Sequence, residues 1–168
     1  MEDEDALESR PPTTEDLVQL CRELNRLGAR YVVVGGMAMN QHGFVRATED
    51  IDLLIDASRE NQQKVKAALL SLPDQAAKDI EPGDIEEYAV IRIADEFVVD
   101  LMKEACGIEY REAAQDMVLF ELQGVAIPMP SAELLLRLKQ TVRAKDAPDR
   151  EFLERKLGRQ RKRGDEEP

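Results

Sequence analysis

The sequence predicts a single α/β (α+β) domain with one mixed β-sheet flanked by helices. Three observations predict it. The chain has 168 residues, the size of one ordinary domain. Stretches with helical spacing alternate with short β-branched runs through residue 72. Past that point, pairs of apolar runs separated by turn residues read as hairpins mixed with helices, an order that suits one mixed sheet.

The elements follow in order. Leu17, Leu20, Cys21, Leu24 and Leu27 recur at helical spacing, with Thr13 or Thr14 as a cap and Gly28 as the stop, so a helix is expected over 14–27. Cys21 falls on its apolar stripe and reads as core. Tyr31-Val-Val-Val34 is a buried strand by composition, closed by Gly35-Gly36. A short helix over 37–41 and a strand over 50–55 come next. Ser58 caps a helix expected over 59–72, with Val65, Ala68, Leu69 and Leu72 on one face. Residues 73–87 read as a loop or a short helix. Runs over 89–93 and 97–102 form one hairpin, and runs over 118–122 and 125–128 form another, with a short helix over 108–115 between them. A helix from Ser131 to about Arg143 and a last one to about Leu157 close the domain. Residues 1–12 are expected as a disordered acidic tail, 13–157 as the folded domain, and 158–168 as a mobile basic tail.

Charge and cysteine content exclude several classes. The net charge is -12, which rules out a generally basic nucleic-acid coat protein. The distribution is uneven: Glu2, Asp3, Glu4, Asp5 and Glu8 crowd the start, whereas Arg159, Arg161, Lys162 and Arg163 crowd the end. That basic run reads as a solvated helix end and tail, with contact to RNA or another acidic partner as the competing reading. No apolar run reaches the roughly 18 residues of a membrane span, and the acidic start lacks the features of a signal peptide. Two cysteines give neither a disulfide framework nor a metal cluster and suit a cytoplasmic setting.

The chemistry sits in Val34-Gly35-Gly36 followed by Asp50-Ile51-Asp52. Residues two apart on a strand share a face, so Asp50 and Asp52 point together while Ile51, Leu53 and Ile55 face the core. Two carboxylates this close repel, and a divalent cation such as magnesium or manganese removes the repulsion. Asp100, in the otherwise apolar Phe97-Val-Val-Asp-Leu-Met102, completes a three-carboxylate cage if its strand lies beside 50–55. Gly35 and Gly36 sit between a strand and a helix, where backbone N–H groups approach phosphate oxygens. Arg46 and Thr48, just before the acids, either meet a phosphate or the acceptor or simply fix the loop. Lys139 either reaches a triphosphate or is a solvated helical lysine. His42 reads as structural or exposed, and Cys106 as a buried or half-buried thiol.

Taken together, Val34-Gly-Gly36, Asp50-Ile-Asp52 and Asp100 resemble the nucleotidyltransferase superfamily, the polymerase-β-like fold. The stretches Gly35–Gly43 and Arg46–Asp52 look most like small bacterial nucleotidyltransferases of the abortive-infection-toxin and minimal antitoxin types. Ser131-Ala-Glu-Leu-Leu, Lys139, Arg143-Ala-Lys145-Asp146 and Asp149 resemble their C-terminal helices. The resemblance spans about 31–157. It implies transfer of a nucleoside monophosphate from a nucleoside triphosphate to an acceptor hydroxyl, in a toxin–antitoxin context. Asp50, Asp52 and Asp100 would hold metal and carry catalysis, and Gly35, Gly36, Arg46, Thr48 and Lys139 would bind nucleotide. A non-catalytic binding module of the same fold is the alternative. RNA, a protein and a small molecule remain open as acceptors. Three tyrosines, four phenylalanines and no tryptophan disfavour an antibiotic acceptor, whose transferases are richer in aromatics. The toxins usually carry a larger helical C-terminal region, so a partner protein or a homodimer is expected to complete acceptor recognition.

Overall fold

Asp50–Ile55 (β2) is the strand around which the sheet is organised in the computed structural model, which describes residues 8–166. The acidic run 1–7 of the expected N-terminal tail, and residues 167–168, lie outside the described residues. β2 is preceded by helix Thr14–Arg26 (α1), strand Tyr31–Val34 (β1) and short helix Gly35–Gln41 (α2). Helix Arg59–Leu69 (α3) and the single turn Asp84–Glu87 (α4) follow, then strands Ile91–Ala94 (β3) and Val98–Met102 (β4).

Local chemistry accounts for the first elements. The Thr13 hydroxyl accepts from the Asp16 amide, and the Asp16 carboxylate accepts from the Thr13 amide at 2.7 Å, a reciprocal cap on α1. The stripe Leu17, Leu20, Cys21 and Leu24 is buried, and Gly28 turns the chain in the left-handed region at φ 72°. Ser58 caps α3 through the Asn61 amide.

The main sheet has the order β1-β2-β4-β3, with β1–β2 and β3–β4 antiparallel and β2–β4 parallel. The expected mixed sheet is therefore present. Its alternation divides two cores. Ile51, Leu53 and Ile55 join Leu17, Leu24, Val65 and Leu69 in the larger one. Leu54 lies on the other face with Val32, Val34, Leu134 and Leu138 in a smaller cluster. Each fully buried aliphatic chain contributes about 1.5–3 kcal/mol. Asp50 and Asp52 share the face of Leu54, at the strand's N-terminal end.

Beyond β4, the segment expected as a helix over 108–115 holds something smaller. Glu104–Ala105 (β5) and Ile108–Glu109 (β6) form a tiny hairpin, and only Tyr110–Ala113 (α5) is α-helical. Cys106 and Gly107, both at positive φ, make its turn, which the sequence reading missed. Met117–Leu122 (β7) and Val125–Pro130 (β8) pair around Gln123-Gly124 as expected.

The C-terminal helices depart from expectation at both ends. The helix expected to reach Arg143 stops at Arg137 (Ala132–Arg137, α6). Arg150 captures the carbonyls of Lys139 and Thr141 at 2.8 and 3.1 Å, so these groups bond away from a continued helix. The last helix, expected to end at Leu157, runs over Ala147–Glu166 (α7). Past Leu157 it has no apolar stripe, but Arg, Gln and Lys are good helix formers and carry it forward. Ser9 and Arg10, expected within a tail, are tied down: Ser9 donates to the Asp95 carbonyl at 2.7 Å, and Arg10 pairs with Asp16 and Glu96. No helix among the described residues is long and apolar enough to cross a membrane.

Candidate active site

The parallel register sets Asp52 opposite Asp100, on the same face as Asp50. Each of the three offers a carboxylate oxygen within 4.8 Å of the other two. A strand register linking residues 48 positions apart thus assembles the expected cage. Oxygen donors at this spacing suit a hard divalent cation, which keeps its remaining positions for water or phosphate.

Crowding raises the proton affinity of the acids. Burial, then the charges of Asp50 and Asp100, push the Asp52 carboxyl up to about 7, while Lys139 and Lys145 pull it down. Burial and Asp100 also raise Asp50, against the pull of Arg92. Arg92 sits directly across β3–β4 from Asp100. Its Nε donates to Asp100 Oδ1 and its Nη2 to Asp100 Oδ2, both at 3.0 Å. The same Nη2 reaches Asp50 Oδ2 at 3.4 Å. The sequence reading passed over this arginine. The expected hairpin, with its turn at 94–96, would set residue 92 against residue 98; the observed pairing of Ala94 with Val98 shifts the register by two and brings Arg92 opposite Asp100.

The two glycines bring backbone against this face. Gly35 has φ 70° and opens α2 beside the Asp52 carboxylate. Gly36 lies against Thr48: a Cβ there would fall 2.4 Å from the Thr48 methyl carbon and 3.4 Å from Arg46 Nη1. Gly35, Gly36, Arg46 and Thr48 therefore share one wall. The Arg46 amide donates to Asn40 Oδ1 at 3.0 Å, which fixes the loop between α2 and β2.

Arg46 and Lys139 meet on Asp149. Arg46 donates through Nε and Nη2 to the two Asp149 oxygens at 3.1 and 2.9 Å. Lys139 Nζ lies 3.0 Å from Asp149 Oδ2 and 3.6 Å from Asp146 Oδ1. The lysine side chain is 7% exposed and Asp149 1%, so Lys139 is no solvated helical lysine. It lies just past the end of α6 in a buried ion cluster. Asp146, whose burial is outweighed by bonds from Thr141 and Arg143, sits below the ordinary carboxylate range. Buried charges require this pairing, and Asp149 thereby joins the loop before the acids to α7.

Three other polar residues stand apart from the acids. His42 is structural: its Nε2 donates to the Pro130 carbonyl at 2.8 Å, and its Nδ1 faces Lys156 Nζ at 3.2 Å. Cys106, expected buried or half-buried, is exposed on the tip of the β5–β6 turn. Asp95 is buried by accepting from the amides of Asp74, Ala76 and Glu96, a turn-forming role.

A mixed sheet bearing a carboxylate triad on adjacent strands, with a Gly-Gly turn closed against it, has the architecture of a nucleotidyltransferase. The family model described as nucleotidyl transferase AbiEii toxin, type IV toxin–antitoxin system, matches residues 19–133, and the chain belongs to this family. The match takes in Gly35, Gly36 and all three acids and ends before Lys139 and Asp149. Among solved structures, the chain is similar to a crystal structure described as a putative nucleotidyltransferase from Thermotoga maritima. The two share 16% identity with a TM-score of 0.55, over 87% of this chain and 92% of that one. That likeness bears on the fold, which is a nucleotidyltransferase fold. No curated protein matches the chain significantly.

Proposed function

We propose that the protein transfers a nucleoside monophosphate from a nucleoside triphosphate to an acceptor hydroxyl, at the face formed by Asp50, Asp52 and Asp100. The observation that carries this reading is the convergence of three carboxylate oxygens within 4.8 Å beside a glycine turn. The triad would hold magnesium or manganese, which supplies charge neutralisation at the phosphates and a lowered pKa for the attacking hydroxyl.

The chain's own groups do the rest. Gly35 and Gly36 let Asp52 and Thr48 pack against the start of α2, which sets the backbone of that turn beside the triad, where triphosphate oxygens would bind. Arg46 and Lys139 are the cations that would meet the phosphates, and each is held in place by an ion pair to Asp149. Thr48, packed on Gly36, holds the loop that leads into Asp50. The acceptor oxygen bonds to the α-phosphorus, the bond to the bridging oxygen breaks, and pyrophosphate leaves. The hydroxyl proton passes to a triad carboxylate, for which the resemblance designates Asp100. Positioning and electrostatics carry catalysis of this kind.

The acceptor class is favoured by the end of α7. Arg155, Arg159, Arg161, Lys162 and Arg163 are exposed on an ordered helix, which supports a phosphate-bearing acceptor such as RNA. The toxin–antitoxin family supports an antitoxin partner.

The test incubates the protein with labelled nucleoside triphosphates, magnesium and cell extract, and separates RNA, protein and small molecules. Label in one fraction, lost with Asp52→Asn, is the expected result. No labelled product with any triphosphate would overturn the reading.

A further inference from the structure

Among the described residues, Arg92 is the only cation in an ion pair with the triad. It comes from β3, the terminal strand of the sheet, and its side chain is 63% exposed. Its fork engages both oxygens of Asp100, and one Nη2 spans Asp100 Oδ2 and Asp50 Oδ2 at 3.0 and 3.4 Å. The guanidinium thus bonds to oxygens of two of the three carboxylates offered to a cation. Such a fork is specific to arginine, since lysine carries a point charge without the paired geometry. The guanidinium is 63% exposed whereas the Asp100 carboxylate is 8% exposed, so the pair opens from the solvent side and an arriving cation can take over the charge that Arg92 offsets.

We propose that Arg92 is a built-in countercation: it offsets the repulsion among Asp50, Asp52 and Asp100 and competes with a divalent cation for the oxygens of Asp50 and Asp100. It thereby sets how tightly that cation is held. This inference rests on the metal-binding reading above and concerns its regulation. A residue that only braced the sheet would contribute to stability equally with and without metal. A residue that only aimed Asp100 would strengthen metal binding. A countercation does neither: it stabilises the protein most when metal is scarce, and it weakens metal binding.

The experiment compares the full chain with Arg92→Gln and Arg92→Lys, with Asp52→Asn as the site control. Mn2+ is titrated calorimetrically without nucleotide, and thermal unfolding is followed in EDTA and in excess Mn2+. Arg92→Gln is expected to bind Mn2+ roughly two- to five-fold more tightly. It is expected to melt below the wild type in EDTA, with the gap narrowing in Mn2+. Arg92→Lys, which keeps a charge near the site, falls between the two and serves alone if Arg92→Gln does not fold. Equal or weaker Mn2+ binding by the variants, or an equal melting deficit with and without Mn2+, overturns the countercation while leaving the metal site standing. Mn2+ binding unaffected by Asp52→Asn overturns the metal reading and the countercation together.

Discussion

A side chain on Gly35 would place its Cβ 2.0 Å from Asp52 Oδ2 and 2.9 Å from its Cγ, so the turn and the central acid fit only because residue 35 has no side chain. The φ of 70° adds a second demand for glycine at the same position. Gly35→Ala should displace Asp52, destabilise the fold by about 1–3 kcal/mol and lower transferase activity at least tenfold. Gly158→Ala is the contrast: it lies in α7 with open space around it, and it should gain about 0.5–1 kcal/mol. Chemical denaturation of both variants checks the opposite signs.

Removing any one triad charge should be severe. Asp50→Asn, Asp52→Asn and Asp100→Asn should each lower kcat by roughly 10²–10³-fold, the scale seen when one preorganised electrostatic group is lost. Chelation should abolish wild-type activity, with added magnesium restoring it. Steady-state kinetics with the labelled product is the measurement.

The raised carboxyl of Asp52 fixes the sign of a pH effect. Its value of about 7 in the fold lies above the ordinary 3.8, so between these values the folded chain binds more protons than the unfolded one. Stability must then fall as pH rises through that window. Asp52→Asn removes the penalty. The variant should melt above the wild type at pH 8 in EDTA, and the difference should shrink toward pH 4. Melting curves across that range decide it.

Asp149 holds two cations at once, so its loss should cost more than an ordinary surface pair. Asp149→Ala leaves buried Lys139 without its nearest partner and frees Arg46. Breaking a buried pair from one side costs about 3–5 kcal/mol. Urea denaturation should show a loss in that range, whereas removing Glu151 from its exposed pair with Arg155 should cost less than about 1 kcal/mol.

His42 should give an acid-side transition of opposite sense to that of Asp52. Burial, reinforced by Lys156, lowers it below 6.5, against the bond to Pro130. A histidine depressed in the fold contributes stability above its unfolded value, lost as pH falls through the folded one. His42→Gln should flatten the stability profile below pH 6.5. Stability measured from pH 7.5 to 5 in both proteins checks this.

Much of the candidate site was legible because its signals are local. Alternation alone puts Asp50 and Asp52 on one face and Ile51, Leu53 and Ile55 on the other. The Gly-Gly between a β-branched strand and a short helix marks a close backbone approach before any contact is known. Arg92 was not legible, because the hairpin read from the sequence turns at 94–96 and pairs residue 92 with 98, whereas the folded pairing is shifted by two onto Asp100. The fate of Lys139 was not legible, because its burial depends on Asp146 and Asp149 arriving from beyond a helix that ends early. The length of α7 was misread because a helix without an apolar stripe gives no periodic signal.

The sequence by itself determined the fold class, the order of most elements and the three acids, since strand alternation and helix capping act over a few residues. Tertiary structure alone decided that β2 and β4 run parallel with Asp52 opposite Asp100, that Arg92 forks onto Asp100, and that Asp149 joins Arg46 to Lys139. The physical reason is separation along the chain. Bonds between distant residues are selected by packing the two faces of one sheet and by pairing charges that burial would otherwise forbid, and no local pattern encodes either condition.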